Sequence, residues 1–382
     1  MQVKQITPFL VDSGSSKTWL FVKIETDEGL VGWGEAYTQA DRDRAIMAHL
    51  EEMGRHLIGR SPFAIKHFSS VMYLDYALRR PAMDFWSALS GLEQALWDIV
   101  GKACGQPVYN LLGGPCRDRI RVYANGWSEG AKSPDELARA ADKVIGRGFT
   151  ALKFDPFSNP WRTHIGRAEE ALAFERVKAV RDAVGPKVEI LVEVHRRLAP
   201  NEAIRMAHKL EQFEPFWYEE PIDATDIDGL AEVRARTTLP VVTGEALYSK
   251  EQFAEVFARR AADILNPDVC NCGGILALKE IASAAEPWHV TVAPHNYNST
   301  TVGLASTLQV SAVIPNFLIT EYFVNFEAAA GELARQPFVV KDSHIALPTA
   351  PGLGVDLDEA WLTSHPLKER RPRHIRTYDE ES

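Results

Sequence analysis

Six ionisable residues recur along the second half of the chain at nearly constant intervals. Glu193 is followed after 26 positions by Glu219 and after 26 more by Glu245; Asp268 comes 23 later, His295 27 later and Glu321 26 later. Each stands at or near the end of a short apolar run: "ILVEVH", "FWYEE", "PVVTGE", "ADILNPD", "VTVAPH" and "NFLITEY". Carboxylates and an imidazole that converge can bind a divalent cation and move a proton beside it. A single acid at a strand end is more often a helix cap or a surface ion pair. Six in phase are different, because a buried set of carboxylates without a counter-ion repels itself. Glu193, Glu219 and Glu245 offer only hard oxygen donors, which suits one Mg2+ with positions left for water and substrate. No His-x-His pair ends an early strand, which argues against a zinc hydrolase.

The run "ILVEVHRR" adds His195 two residues after Glu193. Strand side chains alternate, so a strand continued through 195 points both to one side. Lys153 and Asp155 form a second pair of the same kind in "ALKFD". Glu220 should point opposite to Glu219, as a cap or surface ion pair. His164 and His289 lie off the pattern and read as ordinary surface or core histidines.

These residues need a scaffold that brings strand ends together. From about 119 onward, short apolar runs alternate with amphipathic segments such as "NEAIRMAHKLEQF" and "SKEQFAEVFARRA". That alternation predicts parallel strands with crossover helices. "RIRVYAN" and "ALKFD" bring the strands to eight, which favours a closed barrel with its polar ends at the C-terminal mouth. The first part reads as α+β: "TWLFVKIETDEGLVGWGEAYT" predicts two strands around Asp27-Glu28-Gly29, and helical patterns dominate 39–104.

The totals narrow the class. The chain has 382 residues, more than one hydrophobic core usually organises, so two domains are expected. A net charge of −10 argues against nucleic acid or an anionic membrane surface as partner. No apolar run is long enough to suggest a membrane span, and the N-terminus lacks a signal-peptide pattern. Four cysteines are too few for a disulfide framework, so the expected compartment is cytoplasmic. Cys270 and Cys272 read as small buried thiols rather than a zinc site.

At this point the motifs carry a resemblance. "ETDEGLVGWGEA", "SALSGLEQALWDIVGKACGQPVYNLLGG", "EVH", "YEEP", "GEAL", "NPDVCNCGGI", "APHN", "ITEYF" and "PGLGVDLDEA", in this order, resemble the enolase superfamily, mandelate racemase subgroup, over nearly the whole chain. Within it the chain looks most like the sugar-acid dehydratases, gluconate and galactonate dehydratases above all; "VYANGW" with "ALKFDPF" is particularly similar to gluconate dehydratases. The resemblance implies an α/β fold: a modified (β/α)7β TIM-like barrel with an N-terminal α+β capping domain. The expected division is a cap at 1–118, completed by about 350–382, and a catalytic barrel at 119–349.

It also implies roles. Glu193, Glu219 and Glu245 become Mg2+ ligands, His295 the base paired with Asp268, His195 the acid that protonates the departing hydroxyl, and Glu321 a hydrogen-bonding partner of the enolate oxygen. The chemistry needs such groups whatever the family. A proton beside a carboxylate is barely acidic, and a cation with donors such as Lys153 stabilises the charge its removal creates. The β-hydroxyl leaves poorly as hydroxide, so a second acid is required.

Asp155 stands where much of the subgroup has a second lysine of K-x-K, which disfavours a two-base racemase. It is expected either to touch the substrate or to serve as a cap or ion-pair partner of Lys153. Arg196 replaces a glycine common in similar dehydratases and enters or flanks the pocket. Arg197 either orients neighbouring carboxylates or is solvated. The cap loops 12–19 and 75–86, with Tyr76, Arg79 and Arg80, are candidates for substrate contact, while Trp19 and Trp86 are expected to pack. The expected activity is Mg2+-dependent dehydration of a sugar acid, an aldonate such as gluconate or galactonate, to a 2-keto-3-deoxy acid. The alternatives are an epimerase or cycloisomerase of a sugar acid or lactone, and a non-catalytic ligand-binding barrel. A homo-oligomer is the expected assembly.

Overall fold

A computed structural model describes residues 1–14, 17–158, 164–297 and 299–380. The chain starts with an antiparallel three-stranded sheet of β1 (Val3–Asp12), β2 (Thr18–Thr26) and β3 (Val31–Ala36). The expected hairpin is β2–β3, turned at Gly29, whose φ of 85° is open to glycine at little cost. The strand β1 was not foreseen: its residues are mostly half-buried and show no clean alternation.

Helices α1 (Asp43–Gly54) and α3 (Met83–Cys104) cover one face of this sheet, and α2 (Ile65–Val71) packs on α3. The long α3 is buried along most of its length because it has the sheet on one side and the second half of the chain on the other. Sheet and helix meet at backbone distance: a Cβ on Gly34 would come within 1.8 Å of the Gly91 carbonyl oxygen. Any side chain there would force the layers apart.

After the short α4 (Val108–Leu111), eight parallel strands follow among the described residues: β4 (Arg119–Asn125), β5 (Ala151–Phe154), β6 (Glu189–Glu193), β7 (Trp217–Glu219), β8 (Val241–Thr243), β9 (Ile264–Leu265), β10 (Thr291–Val292) and β11 (Thr320–Phe323). Neighbours in sequence pair in order from β4 to β10, and β11 pairs with β4. The Val292–Phe317 bridge, with Leu318 N donating to Val292 O at 2.9 Å, closes the ring. A last strand, β12 (His344–Ala346), runs antiparallel to β4.

Crossover helices α5 (Pro134–Ile145), α6 (Arg167–Val184), α7 (Pro200–Leu210), α8 (Ile227–Ala235), α9 (Lys250–Arg259), α10 (Ile275–Ala285) and α11 (Val302–Val313) lie between the strands in sequence. Ser133 with Glu136, and Ser249 with Gln252, close capping boxes that start α5 and α9. None of the helices described is long and apolar enough to cross a membrane. The C-terminal segment returns to β1: Asp12 N donates to His365 O and Leu367 N to Leu10 O, at 3.0 and 3.1 Å.

The ring's interior is filled by Tyr123, Ala151, Leu191, Trp217, Val242, Ile264, Ala293 and Ile319. Two residues further along, on the same face, stand Asn125, Lys153, Glu193, Glu219, Asn266, His295 and Glu321. Period-two alternation therefore converts one apolar layer into one polar layer toward the C-terminal mouth. Only the step after Val242 breaks the rule. There Gly244, at φ 143°, delays the carboxylate by one residue, to Glu245.

Candidate active site

Oxygens of Glu193, Glu219 and Glu245 all lie within 4.8 Å of one another. Glu219 is the most constrained: Oε1 accepts from Lys153 Nζ and Asn266 Nδ2, each at 2.8 Å, and Oε2 from Trp217 Nε1 at 2.8 Å. Glu193 Oε1 accepts from the His195 backbone N–H at 2.7 Å. Its other oxygen, Oε2, is buried without a hydrogen-bond partner. Burial, with Glu245 nearby, pushes the Glu193 carboxyl up to about 7 and, with Glu193 nearby, pushes Glu219 well above its usual range. Burial would raise Glu245 as well, but Arg196 and His295 outweigh it and hold that carboxyl well below its ordinary value.

A divalent cation fits these residues: the donors are all oxygens, the buried Glu193 Oε2 accepts no hydrogen bond and has Lys153 Nζ no nearer than 3.7 Å, and the carboxyls resist simultaneous ionisation without added positive charge.

On one side stands His295. Its Nδ1 lies 2.8 Å from Asp268 Oδ2, and its Nε2 is 3.1 Å from Glu245 Oε2 and 3.5 Å from Glu321 Oε2. Asp268 is fixed by the backbone N–H groups of Cys270 at 2.8 Å and Tyr297 at 3.1 Å. Burial alone would lower the imidazole pKa, yet Glu321 and Glu245 raise it well above the ordinary value. A cation among these carboxylates would offset part of that bias and bring the ring toward neutrality.

Glu321 accepts from Asn125 Nδ2 at 2.7 Å, Lys153 Nζ at 2.9 Å and Asn296 N at 3.0 Å. Burial would favour its neutral form, but Lys153 and His295 keep its pKa below the usual value. Lys153 is itself desolvated, which alone would lower its pKa; Glu219 and Glu321 raise it well above the ordinary lysine value. Its carboxylate partners favour the charged form of the lysine.

His195 lies on the other histidine arm, but not through strand alternation. The strand β6 ends at Glu193, and His195 and Arg196 take left-handed φ values of 53° and 62°. The turn brings His195 Nδ1 to 2.7 Å from Asp155 Oδ2, while Arg197 Nη1 reaches the same oxygen at 2.6 Å. Asp155 Oδ1 accepts from Phe157 N at 2.8 Å. Its partners are thus a histidine and an arginine, while Lys153 pairs with Glu193, Glu219 and Glu321 instead. Arg197 is buried and orients a carboxylate; it is not a solvated arginine.

Arg196 contacts Glu245 and, at 3.2 Å, Glu220. Glu220 differs from expectation: it is fully buried, at φ 44°, and accepts from Thr243 Oγ1 and Gly244 N at 2.8 and 2.9 Å. The residue after a strand can turn inward when its backbone leaves the β region, which alternation cannot foresee.

The cap contributions are mixed. Tyr76 packs in the cap core against Phe85 and His56, and Arg79 and Arg80 are exposed. In the loop 12–19, residues 15 and 16 lie outside those described. Lys17 Nζ lies 4.3 Å from the centroid of Tyr297, which stacks on both Tyr37 and His295. Burial, with Glu245 and Asp268 nearby, raises the Tyr37 pKa well above normal, which puts its hydroxyl among the site's charges. Tyr37, Tyr297, Asn125 and Asn266 were not picked out from sequence. The asparagines obey the same two-residue rule as the acids and could have been.

Trp19 and Trp86 pack as expected, against Phe21, Phe326 and Trp361, and against Tyr73 and Phe85. Cys270 and Cys272 are buried free thiols, and His164 and His289 are exposed.

Comparisons with known proteins agree with the fold. Residues 136–361 match the model described as "Enolase C-terminal domain-like", and residues 2–113 match "Mandelate racemase / muconate lactonizing enzyme, N-terminal domain". The chain is 34% identical to the D-gluconate dehydratase of Thermoproteus tenax over 95% of this chain and 74% of that protein. It is 37% identical to the D-galactonate dehydratase of Verminephrobacter eiseniae, over 95% and 94%. A crystal structure of a mandelate racemase/muconate lactonizing enzyme from Jannaschia sp. CCS1 superposes with a TM-score of 0.89 at 33% identity, covering 97% of this chain and 99% of that one. One from Sulfitobacter sp. gives 0.90 at 33%, covering 97% and 96%.

Proposed function

The chain belongs to the mandelate racemase/muconate lactonizing enzyme family of the enolase superfamily, and from that premise we propose that it removes water from an aldonate such as gluconate or galactonate. It is a carbon–oxygen lyase, a dehydratase of sugar acids, in line with the relatives at 34 and 37% identity.

Glu193, Glu219 and Glu245 hold Mg2+ in this reading. Bound there, the ion supplies Lewis-acid stabilisation of the charge that develops on the substrate carboxylate. Lys153 offsets charge at the enolate end of the substrate, and Glu321, ionised in the metal-free protein, hydrogen-bonds the enolate oxygen only when it carries a proton. His295, with Nδ1 held by Asp268, takes the α-proton at Nε2. His195, with Nδ1 held by Asp155, delivers a proton from Nε2 to the departing β-hydroxyl. Water leaves, the enol remains, and it ketonises to the 2-keto-3-deoxy acid by taking a proton at C3.

The observation that carries this reading is the pair of carboxylate-oriented imidazoles flanking one acidic triad. Racemisation by a lysine base is disfavoured, because residue 155 is Asp and Lys153 is committed to three glutamates. The test is a sugar-acid library incubated with Mg2+, with 2-keto-3-deoxy products detected as semicarbazones. A keto product from an aldonate supports dehydration; α-proton exchange without a keto product would point to epimerisation or cycloisomerisation.

A further inference from the structure

Arg196 brings a guanidinium against Glu245 and Glu220 at once. The contact is not a chance meeting of mobile surface groups. Glu220 is fully buried and fixed by Thr243 Oγ1 and Gly244 N. The Arg196 backbone N–H donates to Glu220 O at 2.7 Å, and its left-handed φ of 62° turns the residue toward the mouth. Its side chain is only 27% exposed. Glu245 meanwhile belongs to the acidic triad, with His295 on its other oxygen.

We propose that Arg196 is a built-in competitor of the metal ion: it neutralises Glu245 in the metal-free protein and gives up that bond, while keeping Glu220, when the cation binds. This rests on the metal-site reading of Glu193, Glu219 and Glu245. The physics is one of shared charge. A carboxylate oxygen that accepts a charge-assisted bond from a guanidinium donates less to a cation, and two positive groups within one low-dielectric cluster repel. The same guanidinium relieves repulsion among the acids before loading. Glu220 gives Arg196 a second carboxylate to hold, so loading breaks one bond rather than stranding a buried charge. Arg196 thereby sets metal affinity below what the three glutamates alone would give.

The test measures Mg2+ and Mn2+ affinity calorimetrically, without substrate, on the wild type, Arg196→Gln, Arg196→Met and Arg196→Lys, with Glu219→Gln as control. Loss of Arg196 should tighten metal binding by roughly tenfold, within the range by which residues adjoining metal ligands shift affinity. Arg196→Lys should stay near wild type because it keeps the charge. The metal-free Gln and Met variants should unfold at lower temperature than the wild type and recover more on adding metal. Unchanged or weaker metal binding in both neutral variants overturns the proposal. Failure of the wild type to bind metal better than Glu219→Gln would instead overturn the metal-site reading itself. Crystal structures of the wild type with and without Mg2+ give a check that needs no variant: the Arg196–Glu245 contact should open in the loaded form, and an identical contact in both contradicts the proposal.

Discussion

Asp155 Oδ2 lies 2.7 Å from Nδ1 of His195, the same ring nitrogen through which Asp268 holds His295. Each imidazole therefore has its Nδ1 occupied and presents Nε2 as the working atom. The two differ in access: the His195 side chain is 34% exposed and that of His295 4%. A buried ring among carboxylates suits proton abstraction, and a more open one suits protonation of a leaving group that departs as water.

That division predicts a split between two steps. In His295→Asn, dehydration should fall by roughly a thousandfold and α-proton exchange should disappear with it, as for loss of a general base. In His195→Asn, dehydration should fall comparably while α-proton exchange in D2O persists. Proton NMR of the substrate in D2O reads both steps; equal loss of exchange in both variants would contradict the assignment.

Asp155→Asn should behave as a milder His195 variant. It removes the charge that orients His195 and pairs with Arg197, leaving the metal ligands untouched. The expected result is a drop of about ten- to a hundredfold in kcat with little change in metal affinity, in line with loss of a residue that orients a catalytic group. A loss of metal binding of the same size would place Asp155 in the metal site instead.

Lys153→Met tests the charge balance. The ammonium is nearly fully buried beside Glu193, Glu219 and Glu321. Its removal should destabilise the metal-free fold by about 3–5 kcal/mol, the usual result of stripping one partner from a buried ion pair. Urea unfolding monitored by circular dichroism measures it, and added Mg2+ should recover part of the loss.

The pH dependence of stability should expose two carboxyls outside the metal site. Glu93 accepts from Ile275 N and Leu276 N at the start of α10, and Glu35 accepts from Ser299 Oγ and Gly303 N. Burial raises both pKa values from the ordinary 4.5 to about 7. Folding then takes up protons between these values. The stability each neutral carboxyl contributes is complete below 4.5 and is lost as pH rises through 7, at about 1.4 kcal/mol per unit for each group. Glu93→Gln should flatten the stability profile between pH 5 and 7; an unchanged slope would show that the carboxyl is ionised throughout.

Much of this architecture was legible because the barrel repeats itself. Eight apolar runs marked eight strands, and alternation carried every inward residue but Val242 to a polar one two positions on. Legibility failed where the backbone leaves the strand. The pairing of Glu193 with His195 was anticipated for the wrong reason, since β6 ends before His195 and a left-handed turn makes the contact. Glu220 was read as a cap or surface ion pair because alternation continued on paper where the chain in fact bends inward; it forms an ion pair, with Arg196, but a buried one. Tyr37 escaped notice because it reaches the site through contacts between segments distant in sequence, whereas Lys17 falls within the 12–19 loop already singled out. Strand β1 escaped because most of its residues are partly exposed without alternating, so the period-two signal of a one-sided strand is missing.

The most direct test of the central claim is proton NMR of D-gluconate and D-galactonate incubated with the protein and Mg2+ in D2O. The account predicts loss of the C2 proton signal together with appearance of a 2-keto-3-deoxy acid carrying one deuterium at C3, abolished in His295→Asn. Retention of the C2 proton while a keto acid forms would contradict α-proton abstraction. Inertness of both acids, and of every other aldonate tried, would contradict the assigned dehydration.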